Sequence, residues 1–330
     1  MASLTALRDL LAEIRPAVNR RVREVMTTDE AFDEELLPLL LKGKRMRAGL
    51  LIYVHRNLTQ RRNTPEKVLD LACAVELAHA SSLILDDMLD EDTVRRGVRT
   101  LHVTRGEKQA MLDTIGVLSL PYALAAPYGP DYVTMLSATQ RSMASGVMKE
   151  LFLRPELPAT SLYDAIITRK TGHLFSLTAA WGSMAAGRNG STVGAFADYG
   201  LRVGKAMQIA DDIADLSAIA GGRKRSGFGS EMLLLRCVCA DRLCSELVRD
   251  LLQKRPSIAK VKYLWSSEGI ERALTAMLDR EIAHAADSLT TPDRSVVAPA
   301  EGTAFTRIAH EIAAMMLAER VPTEDRMSRI

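Results

Sequence analysis

Apolar positions along this chain recur at the three- and four-residue spacing of a helix facing a core, and no long segment alternates as a strand would. The pattern predicts helices over residues 3–26, 33–58, 65–89, 107–125, 130–151, 160–186, 192–219, 229–253, 258–264, 268–288 and 300–319. Thr64-Pro65-Glu66 marks a start: a capping hydroxyl, a proline tolerated in the first turn and an acid at the positive end of the helix dipole. Breaks are predicted at Tyr128-Gly129-Pro130, Arg154-Pro155, Gly187 to Gly190, Gly221-Gly222 and Thr291-Pro292. No strand pair, internal repeat or low-complexity tract is expected. Because the breaks are turns rather than linkers, residues 1–330 are expected to form one all-α helical bundle domain.

The segment from Leu69 to Leu85 is almost continuously apolar, as in a helix buried on most sides, and it runs straight into Asp86-Asp87-Met88-Leu89-Asp90-Glu91-Asp92. Asp86 and Asp90 lie four apart, so their carboxylates share one face with Asp87 beside them. Like charges here repel, and the dipole disfavours acids at a helix C-terminus. Something cationic should offset them; a divalent metal bridging to phosphate oxygens does so better than basic side chains, and hard oxygens suit Mg²⁺. Asp211-Asp212-Ile213-Ala214-Asp215 repeats the arrangement after a second apolar helical run, again expected at a helix end. One such cluster reads as solvated surface; a pair points to a metal-diphosphate site.

Charge and composition narrow the classes. Forty-three basic and 41 acidic residues leave a net charge of +2, which argues against the broad basic face of a nucleic-acid binder. Any anion site must be local. Candidates are Lys42-Gly43-Lys44-Arg45-Met46-Arg47, Arg95-Arg96-Gly97 just past the first acid cluster, and Lys170-Thr171-Gly172, which opens or interrupts a later helix. Cys73, Cys237, Cys239 and Cys244 show no paired CxxC spacing, so they read as helix packing in a reducing cytoplasm rather than a zinc site. Met1 to Met26 lacks the apolar core of a signal peptide, and its acids speak against a transit peptide. The longest apolar candidate, Leu118 to Pro127, falls short of a membrane span and holds two prolines. The expectation is a soluble, cytoplasmic protein without a transmembrane segment.

Taken in order, KGKRMR, HASSLILDDMLDEDTVRRGVRTLH, KTGHLF and MQIADDIAD resemble the trans-isoprenyl diphosphate synthases, and most of all their geranylgeranyl diphosphate branch, from about residue 33 to 219. Ile308 to Arg320 more weakly resembles the family's last helix. The resemblance implies an all-α bundle around a deep central cavity, and condensation of isopentenyl diphosphate with dimethylallyl, geranyl or farnesyl diphosphate. It implies three Mg²⁺ ions, with Mn²⁺ able to substitute, held by Asp86 and Asp90 with Asp87 supporting, and by Asp211 with Asp212 and Asp215 supporting. Arg95 and Lys170 match positions contacting the allylic diphosphate; Gly43, Lys44, Arg47, His79 and Arg96 match positions holding isopentenyl diphosphate. Without that motif, His79 reads as a core histidine. Thr171 and Gln208 match polar positions near the allylic cation, and Lys224 belongs to what remains of the family's basic loop, Arg223 to Gly227. Ser81 and Ser82, about one turn before Asp86, stand where aromatic residues stop elongation at farnesyl length, so small side chains there imply geranylgeranyl diphosphate. The family's homodimer is carried over as well.

The sequence also departs from the pattern. Lys42-Gly43 replaces a double glycine, Ala48 a proline, Val147 a glutamine and Met207 a phenylalanine, and the region from Ala220 to Leu235 is short, with Ser230 near the place of a later lysine. The first cluster lacks the two-residue insertion of many bacterial geranylgeranyl synthases. Competing readings are a farnesyl or longer-chain synthase, a class I terpene cyclase, and a non-catalytic regulatory subunit. A cyclase would pair one aspartate cluster with an asparagine/serine/glutamate motif, which is missing here; a regulatory subunit typically loses one cluster, and both are whole.

Overall fold

The computed structural model of the chain describes residues 6–28, 32–152, 160–222, 230–242, 258–267, 270–290 and 297–320. Its helices are α1 (Leu7–Thr28), α2 (Leu37–Leu41), α3 (Met46–Thr59), α4 (Glu66–Leu89), α5 (Leu101–Arg105), α6 (Glu107–Ala125), α7 (Pro130–Phe152), α8 (Thr160–Ile167), α9 (His173–Ala185), α10 (Gly190–Ala220), α11 (Ser230–Arg242), α12 (Ile258–Ser267), α13 (Ile270–Thr290) and α14 (Pro299–Arg320). Among the described residues the fold is all-α apart from one two-stranded hairpin, β1 (Val94–Arg95) with β2 (Val98–Arg99).

That hairpin corrects the expectation of no strand pair. Arg96 (φ 52°) and Gly97 (φ 73°) fill a two-residue turn in which both residues need positive φ, the geometry matching strand twist. Two residues per strand are too few to show alternation in a sequence. A second correction concerns residues 33–58, which do not form one helix. A 3₁₀ turn (Glu34–Leu36) leads into α2, and the chain breaks before α3 at Arg45, whose φ is 62°. Arg45 is buried there, donating to Asn19 Oδ1 at 2.8 Å, to the Leu40 carbonyl at 2.7 Å and to Glu76 Oε2 at 3.2 Å. These long-range bonds hold a backbone conformation that a non-glycine residue rarely adopts.

The chain divides into two compact units, Met1–Gln140 with Leu177–Ala197, and Arg141–Ser176 with Asp198–Ile330. In the first, α4 is the core element, packed against α1, α3 and α6, with Leu71 to Val75 shut off from solvent. Burial pushes the Cys73 thiol up to about 12, so it behaves as a small apolar side chain. In the second unit, Tyr199 stacks edge-on against Phe305 at 5.5 Å and donates its hydroxyl to the Phe305 carbonyl at 2.8 Å, tying α10 to α14.

Among the described residues, Glu66–Leu89 and Glu107–Tyr128 do reach the length and mean hydropathy (1.7 and 1.3) of a membrane span, contrary to the expectation from run length. The first is mostly buried within its unit and carries Asp70 and Glu76 in ion pairs with Arg21 and Arg45. The second carries Asp113, bonded to Arg105 and Gln109. The first run is therefore accounted for as a helix packed in a protein core, whereas the second is buried over less than half of its apolar window.

Candidate active site

In the first unit, α4 ends at its acid cluster. Asp90 caps the helix, its N–H donating to the Asp86 carbonyl at 2.8 Å; Glu91 turns left-handed at φ 56°, and the Asp92 N–H returns to the Asp87 carbonyl at 2.9 Å. This is a Schellman closure with glutamate where glycine is usual. The repulsion expected among these acids is partly met by protein: Arg95, on β1, donates Nε to Asp87 Oδ1 and lies 3.5 Å from Asp92. Burial, followed by repulsion from Asp92 and Asp86, outweighs Arg95 and lifts the Asp87 carboxyl above its usual range. Asp87 Oδ2 is buried without a hydrogen-bond partner, while Asp86 is half-buried and Asp90 exposed.

The hairpin also brings Arg96 back to the α2–α3 break, where its Nη1 donates to the Lys42 carbonyl at 3.1 Å. Arg47 lies buried in the first turn of α3, with Gly43 and Lys44 half-buried before it; burial first and Arg96 next, offset by Glu76, push its guanidinium down to about 10. His79 faces the same cations. Burial, then Arg47, Arg96, Arg95 and Arg45, hold its imidazole neutral far below the usual pKa of 6.5. The structure thus gathers Arg47, Arg95, Arg96 and His79, from three distant stretches, into one positively charged neighbourhood. Arg45 is its structural support.

About two turns of α4 separate His79 from Asp86. His79, Ser82, Leu83 and Asp86 form a half-buried stripe, whereas Ser81, Ile84 and Asp87 face inward. Ser82 donates to the His79 carbonyl at 2.8 Å and Ser81, with no exposed surface, to the Ala78 carbonyl at 2.9 Å.

In the second unit, Lys170-Thr171-Gly172 lies inside a π turn (Thr168–Gly172) between α8 and α9, closed by the His173 N–H on the Thr168 carbonyl. Such wide turns within helices recur at functional sites. Gly172 and Gly204 let α10 approach closely: a Cβ on Gly204 would meet the Phe175 Cβ at 2.8 Å and the Gly172 Cα at 3.0 Å. Thr171 Oγ1 consequently reaches Gln208 Oε1 at 2.8 Å. Gln208 Nε2 donates to Asp212 Oδ1 at 3.1 Å, and the buried Tyr163 hydroxyl donates to Asp212 Oδ2 at 2.6 Å. Asp212 and Asp215 are buried and Asp211 half-buried. The second cluster is not at a helix end as expected. Apolar Leu216, Ala218, Ile219 and Ala220 carry α10 on, buried, to Gly221-Gly222.

Two residues here were missed by sequence reading. Glu150, on α7, accepts from Lys170 Nζ at 2.7 Å, and Tyr163 holds Asp212. Their partners lie 20 and 49 residues away, beyond any local pattern. Lys224, with the rest of residues 223–229 and Cys244, lies outside the described residues.

The donor set fits Mg²⁺. Among the described residues no three acidic, histidine or cysteine side chains converge into a closed metal cage. Magnesium instead takes one or two carboxylates and completes its octahedron with water and substrate phosphate oxygens, and the unpartnered Asp87 Oδ2 beside Asp86 offers such oxygens.

Set against known proteins, this chain matches the polyprenyl synthetase family model over residues 30–224. It is 34% identical over 209 residues to the geranylgeranyl diphosphate synthase of Pseudescherichia vulneris, covering 60% of this chain and 68% of that one. It is 31% identical over 191 residues to the geranylfarnesyl diphosphate synthase of Methanosarcina mazei, covering 58% and 63%. The match therefore spans about two thirds of these relatives' length. The crystal structure of a Caulobacter crescentus polyprenyl synthase, complexed with calcium and isoprenyl diphosphate, superposes with a TM-score of 0.75 at 22% identity over 97% of this chain and all of that one. The fold is that of the isoprenoid synthases, and the chain belongs to the polyprenyl synthetase family, a family of prenyltransferases.

Proposed function

We propose that the chain joins isopentenyl diphosphate to allylic diphosphates, with geranylgeranyl diphosphate as product. The observation that carries this reading is the gathering of Arg47, Arg95 and Arg96 around His79, about two turns along α4 from Asp86. A diphosphate bound through metal needs carboxylates, and a second, metal-free diphosphate needs guanidiniums and ammoniums. One helix serves both kinds of group. A cyclase, which takes a single diphosphate, has no use for the second.

In the proposed reaction, the allylic carbon–oxygen bond breaks, the alkene of isopentenyl diphosphate forms the new carbon–carbon bond, and a proton leaves to the released diphosphate. Asp86, Asp87 and Asp90, with Asp211 and its neighbours Asp212 and Asp215, serve the allylic diphosphate; Lys170 and Arg95 bind it directly. Magnesium ions, three by the family's pattern and replaceable by Mn²⁺, neutralise charge on that leaving group when bound. Gly43, Lys44, Arg47, His79 and Arg96 orient isopentenyl diphosphate, and Lys224 extends the basic set. Thr171 and Gln208 present fixed dipoles to the developing cation. Apolar walls keep water from quenching it.

Ser82 supports geranylgeranyl length, being small and on the same half-buried stripe as Asp86. We propose further that the protein acts as a cytoplasmic homodimer. Met111, Leu112 and Ile115, 51%, 64% and 64% exposed on one stretch of α6, offer an apolar face for a second copy. Incubation with Mg²⁺, isopentenyl diphosphate and each allylic diphosphate in turn, with products separated by chain length, tests the reading. Geranylgeranyl diphosphate is expected. Hydrocarbon formed without consumption of isopentenyl diphosphate would establish a cyclase, and no product at all a regulatory subunit.

A further inference from the structure

Three hydrogen bonds in the second unit form a chain with a fixed direction. The Tyr163 phenol donates to Asp212 Oδ2, Gln208 Nε2 donates to Asp212 Oδ1, and Thr171 Oγ1 donates to Gln208 Oε1. A carboxylate only accepts, so Asp212 forces the amide end of Gln208 toward itself. The carbonyl end of Gln208 must then face Thr171, which spends its one hydroxyl hydrogen on it. What Thr171 has left to offer is lone pairs. Tyr163, Asp212 and Thr171 are buried and Gln208 is half-buried, which limits competition from water for these bonds.

We propose that Tyr163 is a positioning residue: by holding Asp212 it sets which way the Gln208 amide faces, and through it the direction of the Thr171 hydroxyl. The inference rests on the prenyl-transfer reading above for its catalytic meaning. Tyr163 has the character the role needs. It is fully buried on α8, with its phenol O–H 2.6 Å from Asp212 Oδ2, and a carboxylate can only accept, so Tyr163 is the donor. With Tyr163 engaging one oxygen and Gln208 the other, Asp212 acts as an anchor inside the acid cluster, leaving Asp211 as its more accessible carboxylate. If Gln208 flipped, Thr171 would face an amide nitrogen, accept from it, and turn its hydrogen toward a developing cation, the wrong sign of dipole for stabilising it.

The test is Tyr163→Phe, which removes one oxygen, in a cycle with Thr171→Val. Tyr163→Phe should lower kcat about 10- to 100-fold while KM for both diphosphates and the Mg²⁺ half-saturation stay within about twofold. In a Thr171→Val background it should cost nothing more, because both changes break the same chain. Asp212→Asn, which cannot accept both donors, provides a second variant and should likewise be non-additive with Thr171→Val. A readout free of catalysis is the side-chain amide NMR signal of Gln208, identified by its loss in Gln208→Leu. It should exchange slowly in the wild type and shift with faster exchange in Tyr163→Phe. Full kcat in Tyr163→Phe, additive losses in the cycle, or an unmoved Gln208 signal would each overturn the proposal. A wild type inert toward both substrates, with Gln208 still responding to Tyr163→Phe, would support the positioning while removing the reaction.

Discussion

Lys170 Nζ sits 2.7 Å from Glu150 Oε2, so the cation assigned to the allylic diphosphate is held by a carboxylate on a neighbouring helix. Both groups are partly buried, with 26% and 12% of their side chains exposed, and each would suffer if stranded. Lys170→Ala should therefore do two separable things. It should raise KM for the allylic diphosphate about tenfold or more, and it should destabilise the fold by about 1–3 kcal/mol through loss of the Lys170–Glu150 ion pair. Adding Glu150→Ala should recover part of the melting temperature but not KM. Recovery of both, measured by calorimetry and steady-state kinetics, would show that Lys170 is structural.

The two acid clusters predict a shared dependence on metal. Chelation by EDTA should abolish turnover and Mg²⁺ restore it. Asp86→Ala or Asp211→Ala should each lower kcat on the order of 10³-fold, since each removes charge stabilisation from the leaving diphosphate. Titration of activity with Mg²⁺ is the check. Either variant at wild-type rate would remove that aspartate from the site.

His79 gives a pH prediction whose sign follows from its surroundings. Its folded-state pKa is depressed below 6.5, by burial first and then by four arginines, so as the pH falls below that value the unfolded chain binds a proton that the folded one refuses. Stability is then present above the unfolded pKa and is lost on acidification. His55 and His173, also depressed by burial, act in the same direction. The melting temperature should fall as the pH drops from about 7.5 to about 5.5, and His79→Gln should flatten the curve by up to about 1 kcal/mol. A mutant curve parallel to the wild type would mean that His79 is not held neutral.

Much of this was legible along the chain because its causes are local. The apolar run from Leu69 to Leu85 and the acids after it are consecutive, so α4 and its cluster could be read within a residue. Arg45 and Arg47 look alike in one basic run, and only the family resemblance singles out Arg47. The fold supplies the physical reason, turning Arg45 onto Glu76 and Arg47 toward His79. The hairpin at Val94–Arg99 was missed because its strands are too short for periodicity, although Arg96-Gly97 carried its turn chemistry. The second cluster is expected at a helix end by analogy with the first, since both follow an apolar helical run. The helix instead carries on for five residues beyond Asp215, to Ala220, just before the Gly221-Gly222 break.

Ser82 is where the structure sharpens the sequence's account of product length. Along the chain Ser81 and Ser82 have equal standing before Asp86. The helix separates them: Ser81 has no exposed surface and bonds back to Ala78, while Ser82 shares the half-buried stripe with His79 and Asp86. A growing chain attached to a diphosphate at Asp86 would pass Ser82 first. Ser82→Phe should therefore shift the product from geranylgeranyl toward farnesyl diphosphate with little loss of stability. Ser81→Phe should shorten it only if a closed tunnel receives the ring, and otherwise should overpack the core by about 1–3 kcal/mol. Product chromatography beside thermal melting separates these outcomes. An unchanged product from a well-folded Ser82→Phe would mean that elongation does not follow this face of α4.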